Sequence, residues 1–208
     1  MDNLLSGFLG AVIALFIAAL LTRLNSAFRI NKIRKAVVIY YQNTGIIKLD
    51  VYIENIERCV KRIELFANGF FNNPEKYDYM PMLTSEIVKS YGHIDILRIA
   101  AHDSELYSRI VDTGYVIDFL KDHLPGKIMG DYLKAVTDHF QEEKIEKGEA
   151  RIRHLKHCEY LNSVKESIIS NLNGYSKTAS DTKENMATVT DKLGGNSTLW
   201  VLRYFLKQ

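Results

Sequence analysis

The chain has 208 residues, 47% of them hydrophobic and 25% charged, with a formal net charge of +2 and two cysteines. That length holds an apolar N-terminal run plus one domain large enough to bury a core without disulfides or metals. The charge is divided, +5 over residues 1–49 and −3 over residues 50–208, so the larger part lacks the basic stripe of a nucleic-acid surface and no nucleic-acid partner is expected.

Leu4 to Leu21, LLSGFLGAVIALFIAALL, is 18 residues without a charge. As a helix it is roughly 27 Å long, close to the ~30 Å hydrocarbon core of a bilayer. A cleaved signal peptide starts with a basic region and ends on small residues. Here Met1-Asp2-Asn3 has no Lys or Arg, and Thr22-Arg23-Leu24-Asn25 is a poor cleavage site. The expectation is an uncleaved transmembrane anchor over residues 1–24. Ser6, Gly10, Ala14 and Ala18 recur every four residues, a spacing that lets two spans approach closely. A homo-oligomer through the span is one reading; the plainer one is that Gly and Ala are common in spans.

No acidic residue occurs between Asn3 and Leu49, whereas Arg23, Arg29, Lys32, Arg34 and Lys35 follow the apolar run closely. Lys and Arg beside a span stay on the cytoplasmic side. The predicted topology is single-pass, with the C-terminal domain cytoplasmic and these five side chains at lipid headgroups, each worth about 1 kcal/mol. Residues 25–45 read as a basic juxtamembrane helix, in preference to a short strand over the β-branched and aromatic Val37 to Tyr41. Asn43-Thr44-Gly45 is expected to break it.

Residues 46–174 carry the signature of a helical bundle. Leu49, Ile53, Ile56, Val60, Ile63, Ala67 and Phe70 alternate spacings of four and three, a coiled-coil seam that demands a partner helix. Asn72-Asn73-Pro74 ends it. Pro74 to Leu83 reads as a loop bounded by prolines, and its Tyr77, Tyr79, Met80 and Met82 are candidate partner-binding residues. A second helix follows a Thr84 or Ser85 cap, with Ile87, Tyr91, Ile94 and Leu97 as its seam and Gly92 inside it. Asp103 or Ser104 opens a third, with Leu106, Ile110, Thr113, Ile117, Leu120 and Leu124 on one face. Pro125-Gly126 closes that helix, and another opens near Lys127. Apolar spacing resumes from Ile152 to Leu172, in one long helix from about 128 or in two meeting near Gly148. Asn173-Gly174 reads as its end.

Residues 175–208 read as a linker, Ser176 to Asn185, and an apolar docking segment beyond Gly194-Gly195-Asn196. That segment holds Trp200, the only tryptophan, with Arg203 and Tyr204. Trp, Tyr and Arg favour interfaces, so these three are candidate partner-binding residues. The segment is expected to dock on its own bundle, on a partner or on the bilayer.

Candidate chemistry is sparse. His102-Asp103 has the residues of a metal phosphohydrolase dyad but lacks the further ligands in register. His154, His157 and Cys158 share a helical face at metal-compatible spacing, among Arg151, Arg153 and Lys156, which repel a cation. Arg151 and His157, six apart, resemble the Arg-x(4–6)-His pattern of the all-helical HEPN ribonucleases, although Ile152 stands where that family has a polar residue. The resemblance covers those two residues and implies a membrane-tethered ribonuclease. No phosphate loop, nucleophile elbow or CxxC occurs. The reading is an all-α chain, a single N-terminal transmembrane helix followed by an antiparallel helical bundle. Its expected function is non-enzymatic tethering at a membrane, with an unknown protein partner and no catalytic residue, metal or cofactor. The alternatives are an oligomerising membrane effector that perturbs the bilayer, or the membrane-tethered HEPN-like ribonuclease that the resemblance implies.

Overall fold

The computed structural model describes residues 2–67, 91–101, 103–132 and 150–207, and no strand occurs among them. Helix α1, Asp2–Tyr40, runs into a π-helical turn, Tyr41–Gly45, and on into α2, Ile46–Ala67. Tyr40 and Ile46 on either side of the turn both hold helical dihedrals, so the axis continues. The break expected at Asn43-Thr44-Gly45 does not occur; the chain passes through these residues as this turn. The whole rod, residues 2–67, is about 100 Å long.

The rod has two environments. Residues 6–19 and 21–25 are exposed throughout. From Ala27 onward a buried stripe begins: Ala27, Ile30, Ile33, Val37 and Tyr40, then Tyr41, Gly45, Leu49, Tyr52, Ile56, Cys59 and Ile63. The π turn adds residues to one turn of the ladder and keeps that stripe on one side through the junction. In α2 the buried face is turned by one position from the expected seam. Tyr52 and Cys59 are fully buried, while Ile53 and Val60 flank them. The Tyr52 hydroxyl donates to the His123 carbonyl at 2.7 Å, which lets a large aromatic ring sit where a smaller apolar residue was expected.

Helix α3, His93–Ile99, is short. Gly92 is its N-cap rather than an interior residue, and Ile96 and Ile99 are its buried face. Helix α4, Ser104–Asp122, is capped by Asp103, whose side chain accepts from the Leu106 amide at 3.0 Å. Its Leu106, Ile110, Thr113, Ile117 and Leu120 are buried, the expected seam. Residues 125–132 are again helical, with Pro125 in the first turn, where a missing N–H costs nothing.

Helix α5, Ala150–Leu193, is 44 residues long. It runs without interruption through Asn173-Gly174 and Ser176 to Asn185, where a helix end and a linker were expected. Leu172, Ala179, Thr182, Met186, Val189, Thr190 and Leu193 are buried at spacings that keep one face. The threonines that gave this stretch its linker look direct their hydroxyls back into the helix: Thr178 to the Gly174 carbonyl, Thr182 to Thr178, and Thr188 to Glu184, at 2.7–3.0 Å. A hydroxyl bonded four residues back needs no water and can face a neighbouring helix.

Helices α2 and α5 run in opposite directions. Lys183 pairs with Asp50 and a Cβ on Gly45 would meet the Met186 sulfur at 2.8 Å, while Arg34 reaches the Leu193 carbonyl. Helix α4 opposes α5 in the same sense, with Arg109 bonded to Asn185 and Lys192 near Glu105. The core lies between these three, with Gly45 permitting the closest approach.

Candidate functional site

Beyond Leu193 the chain breaks at Gly194, Gly195 and Asn196 and resumes as α6, Ser197–Lys207. Gly195 has φ +106° and a Cβ on Gly194 would meet the Thr190 carbonyl oxygen at 2.9 Å; both positions demand glycine. Asn196 caps α6 by accepting from the Thr198 amide at 2.9 Å. The helix turns Val201 and Tyr204 onto α1 and leaves Leu199, Leu202, Arg203 and Leu206 exposed. The apolar segment thus docks on its own chain by one face only.

Arg34 sits across this break. It is 2% exposed, the one buried charged side chain among the described residues. Its Nε donates to Asn31 Oδ1 at 3.0 Å, Nη1 to the Leu193 carbonyl at 2.5 Å, and Nη2 to Ser197 Oγ at 3.3 Å. The guanidinium carbon lies 5.1 Å from the centre of the Trp200 ring, which stacks on Tyr204 at 5.1 Å. Leu193 is the last residue of α5, whose carbonyl has no helical partner, and a cation there suits the negative end of the helix. Burial lowers the Arg34 pKa from its ordinary value. Arg34 was expected at lipid headgroups. It is instead the pin that holds α5, α6 and α1 together, so a count of basic residues misplaced it. Trp200 is part of this pin, and Tyr204 is buried rather than presented to a partner.

The remaining expected headgroup residues differ in setting. Arg23, Lys32 and Lys35 are exposed. Arg29 is 2.8 Å from Asp95 of α3. That contact, with the Tyr204 phenol lying among Ser26, Arg29, Asp95 and Arg98, gathers α3 and the end of α6 around residues 26–29 of α1. This is the end of the bundle from which the apolar arm of the rod, residues 2–25, projects.

That projecting arm is the largest feature of the molecule. Phe8, Leu15 and Phe16 are 71%, 72% and 65% exposed, and none of its apolar window is buried. It is long and apolar enough to cross a membrane. Thr22, near its base, donates its hydroxyl to the Ala18 carbonyl at 2.8 Å, so it needs no water. Ser6, Gly10, Ala14 and Ala18 lie exposed along it, and nothing is near the Cβ direction of Gly7 or Gly10.

A cavity of about 270 Å³ opens between α3 and α4, lined by Tyr91, His93, Ile96, Val111, Tyr115 and Asp118 among others. At its edge His93 Nδ1 lies 3.0 Å from the Tyr107 hydroxyl. Sequence spacing did not reveal it, because it forms between helices. Asp103 serves as a helix cap. Tyr77, Tyr79, Met80, Met82 and His102 lie outside the described residues, as do the side chains of Arg151, His154, His157 and Cys158. No group of three His, Cys, Asp or Glu side chains that would hold a metal occurs among the described residues. Comparison with protein-family models, with curated proteins and with solved structures finds no match.

Proposed function

We propose that this chain is a single-pass membrane protein whose arm crosses the bilayer and holds an antiparallel helical bundle at the cytoplasmic face, as a non-enzymatic interaction module. One observation carries this reading: the arm is wholly outside the bundle yet continuous with its central helix. Burying an exposed Leu, Ile, Val or Phe is worth about 1.5–3 kcal/mol. Phe8, Leu9, Val12, Ile13, Leu15, Phe16, Ile17 and Leu21 are all exposed, so immersion of the arm is worth roughly 12–24 kcal/mol. That is at least comparable with the usual stability of a whole domain, about 5–15 kcal/mol. The basic residues after the arm and their absence before it support the cytoplasmic side for the bundle.

The unbroken rod also shapes the mechanism. A flexible linker would leave the bundle free to search the surface. A helix that passes from the arm into the core sets the bundle's tilt and rotation relative to the bilayer. The tether is therefore stiff, and it presents chosen faces of the bundle.

A second reading is an oligomerising membrane effector, favoured by the exposed row Ser6, Gly10, Ala14 and Ala18, where two arms can meet closely. Alkaline extraction of membranes carrying the full chain tests the first reading. The chain remains in the membrane pellet if the arm spans; release into the supernatant overturns the anchor.

A further inference from the structure

From Leu24 onward, Ile39, Ile47, Tyr115, Phe119 and Leu199 are exposed singly, and six further large apolar side chains lie on three helices that meet at the base of the arm. Leu24 and Phe28 of α1, Ile94 and Leu97 of α3, and Leu202 and Leu206 of α6 are each at least 37% exposed, Leu206 reaching 79%. The Arg29–Asp95 pair and the surroundings of Tyr204 bring these three helices together around residues 26–29. Tyr204 of α6 is buried against α1, and Phe28 is about 6 Å along the axis from Leu24. The patch is thus continuous with the base of the arm. Arg23, Arg29, Arg98 and Arg203 stand at the same end, against Asp95, which Arg29 and Arg98 both approach, and against Asp103 and Glu105 at the start of α4.

We infer that this end of the bundle is a second membrane contact, a foot that rests on the bilayer through α3 and α6 while the arm passes through it. The inference deepens the anchor reading and rests on it. Its occupant is an anionic lipid surface. Apolar side chains with arginines among them are the composition that settles at the boundary of headgroups and acyl chains, and the excess of positive charge matches anionic lipid. Leu206 is the most exposed of the six. The foot makes α6 a wedge held on one face by α1 and on the other by lipid, with Arg34 fixing its angle through the Leu193 carbonyl and Ser197.

Fluorescence in liposomes tests this on the full chain. Trp200→Phe removes the native signal and Leu206→Trp places a reporter on the foot; Ile47→Trp, exposed on α2 and roughly 28 Å along the rod from Phe28, reports from beyond it. Each variant is reconstituted in phosphatidylcholine–phosphatidylglycerol vesicles with and without brominated acyl chains. The foot predicts at least about a twofold loss of emission for Leu206→Trp and almost none for Ile47→Trp. Leu202→Trp gives the same result at a second position if Leu206→Trp disturbs folding. A chain that floats with the vesicles while both reporters stay bright overturns the foot and leaves the anchor standing. Bright reporters together with a cross-linked dimer through α6 also overturn it, because a second copy then covers the patch. A chain that fails to float removes the anchor reading itself.

Discussion

Replacing Arg34 by methionine isolates the pin at the α5–α6 break. Methionine keeps an unbranched side chain of similar reach but donates nothing. The Leu193 carbonyl and the Asn31 amide oxygen lose their donor, and both residues are buried. A buried polar group left unpaired costs about 1–3 kcal/mol. Loss of the guanidinium from the Trp200 face costs about 0.5–2 kcal/mol more. The substitution also removes a charge that burial disfavours, as the lowered Arg34 pKa shows, and this offsets part of the loss. The net expectation is about 3 kcal/mol, which for a chain of this size lowers Tm by roughly 6–12 °C. Trp200 is the only tryptophan, so its emission reports the break directly. Thermal unfolding of the full chain in detergent, followed by tryptophan emission and by circular dichroism, shows α6 releasing before the helical signal falls. Lys35→Met, the next residue along and exposed, is the matched control and changes stability by less than about 0.5 kcal/mol. Equal effects of the two substitutions refute the pin.

Two other outcomes follow from the packing. Ser180→Pro falls on the exposed face of α5 and costs about 3 kcal/mol or more in thermal unfolding, because proline breaks an interior helical turn; a linker at 176–185 would tolerate it. Burial pushes the Tyr41 and Tyr52 phenols well above their ordinary value of 10.0. A raised pKa means that their contribution to stability is complete below about pH 10 and falls as pH rises past it, by about 1.4 kcal/mol per phenol at about pH 11. Denaturant titrations at neutral and alkaline pH measure the loss, and Tyr52→Phe, which cannot ionise, reduces it by about half.

Much of the helical pattern was legible in the chain. Leu106 to Leu120 is read correctly because every apolar residue of α4 on that period faces one core. The α2 seam is read correctly at Leu49, Ile56 and Ile63 and one position off at Tyr52 and Cys59, since Ile53 and Val60 are more apolar. The phenol of Tyr52 becomes a core residue only through the His123 carbonyl, which no local spacing reveals. Ser176 to Asn185 misleads for a related reason. Its threonines count as polar, yet their hydroxyls are satisfied inside the helix, and Ala179, Thr182 and Met186 form a narrow buried stripe. Gly45 looks like a punctuation mark and is a point of close approach to Met186. Arg34 looks like one more member of a basic cluster, and only the tertiary partners at Leu193 and Ser197 distinguish it from Lys32 and Lys35. The arm stood out from composition alone, because a run of 18 uncharged residues needs no tertiary context to be recognised.

Side-specific thiol labelling tests the anchored arrangement most directly. With Cys59→Ala and Cys158→Ala as background, Asn3→Cys and Asp191→Cys are placed singly on the two sides of the arm, and sealed right-side-out vesicles are treated with a membrane-impermeant maleimide. The account predicts labelling of Asn3→Cys, with Asp191→Cys labelled only after the vesicles are opened. Labelling of both in sealed vesicles contradicts a spanning arm, and the reverse pattern contradicts a cytoplasmic bundle.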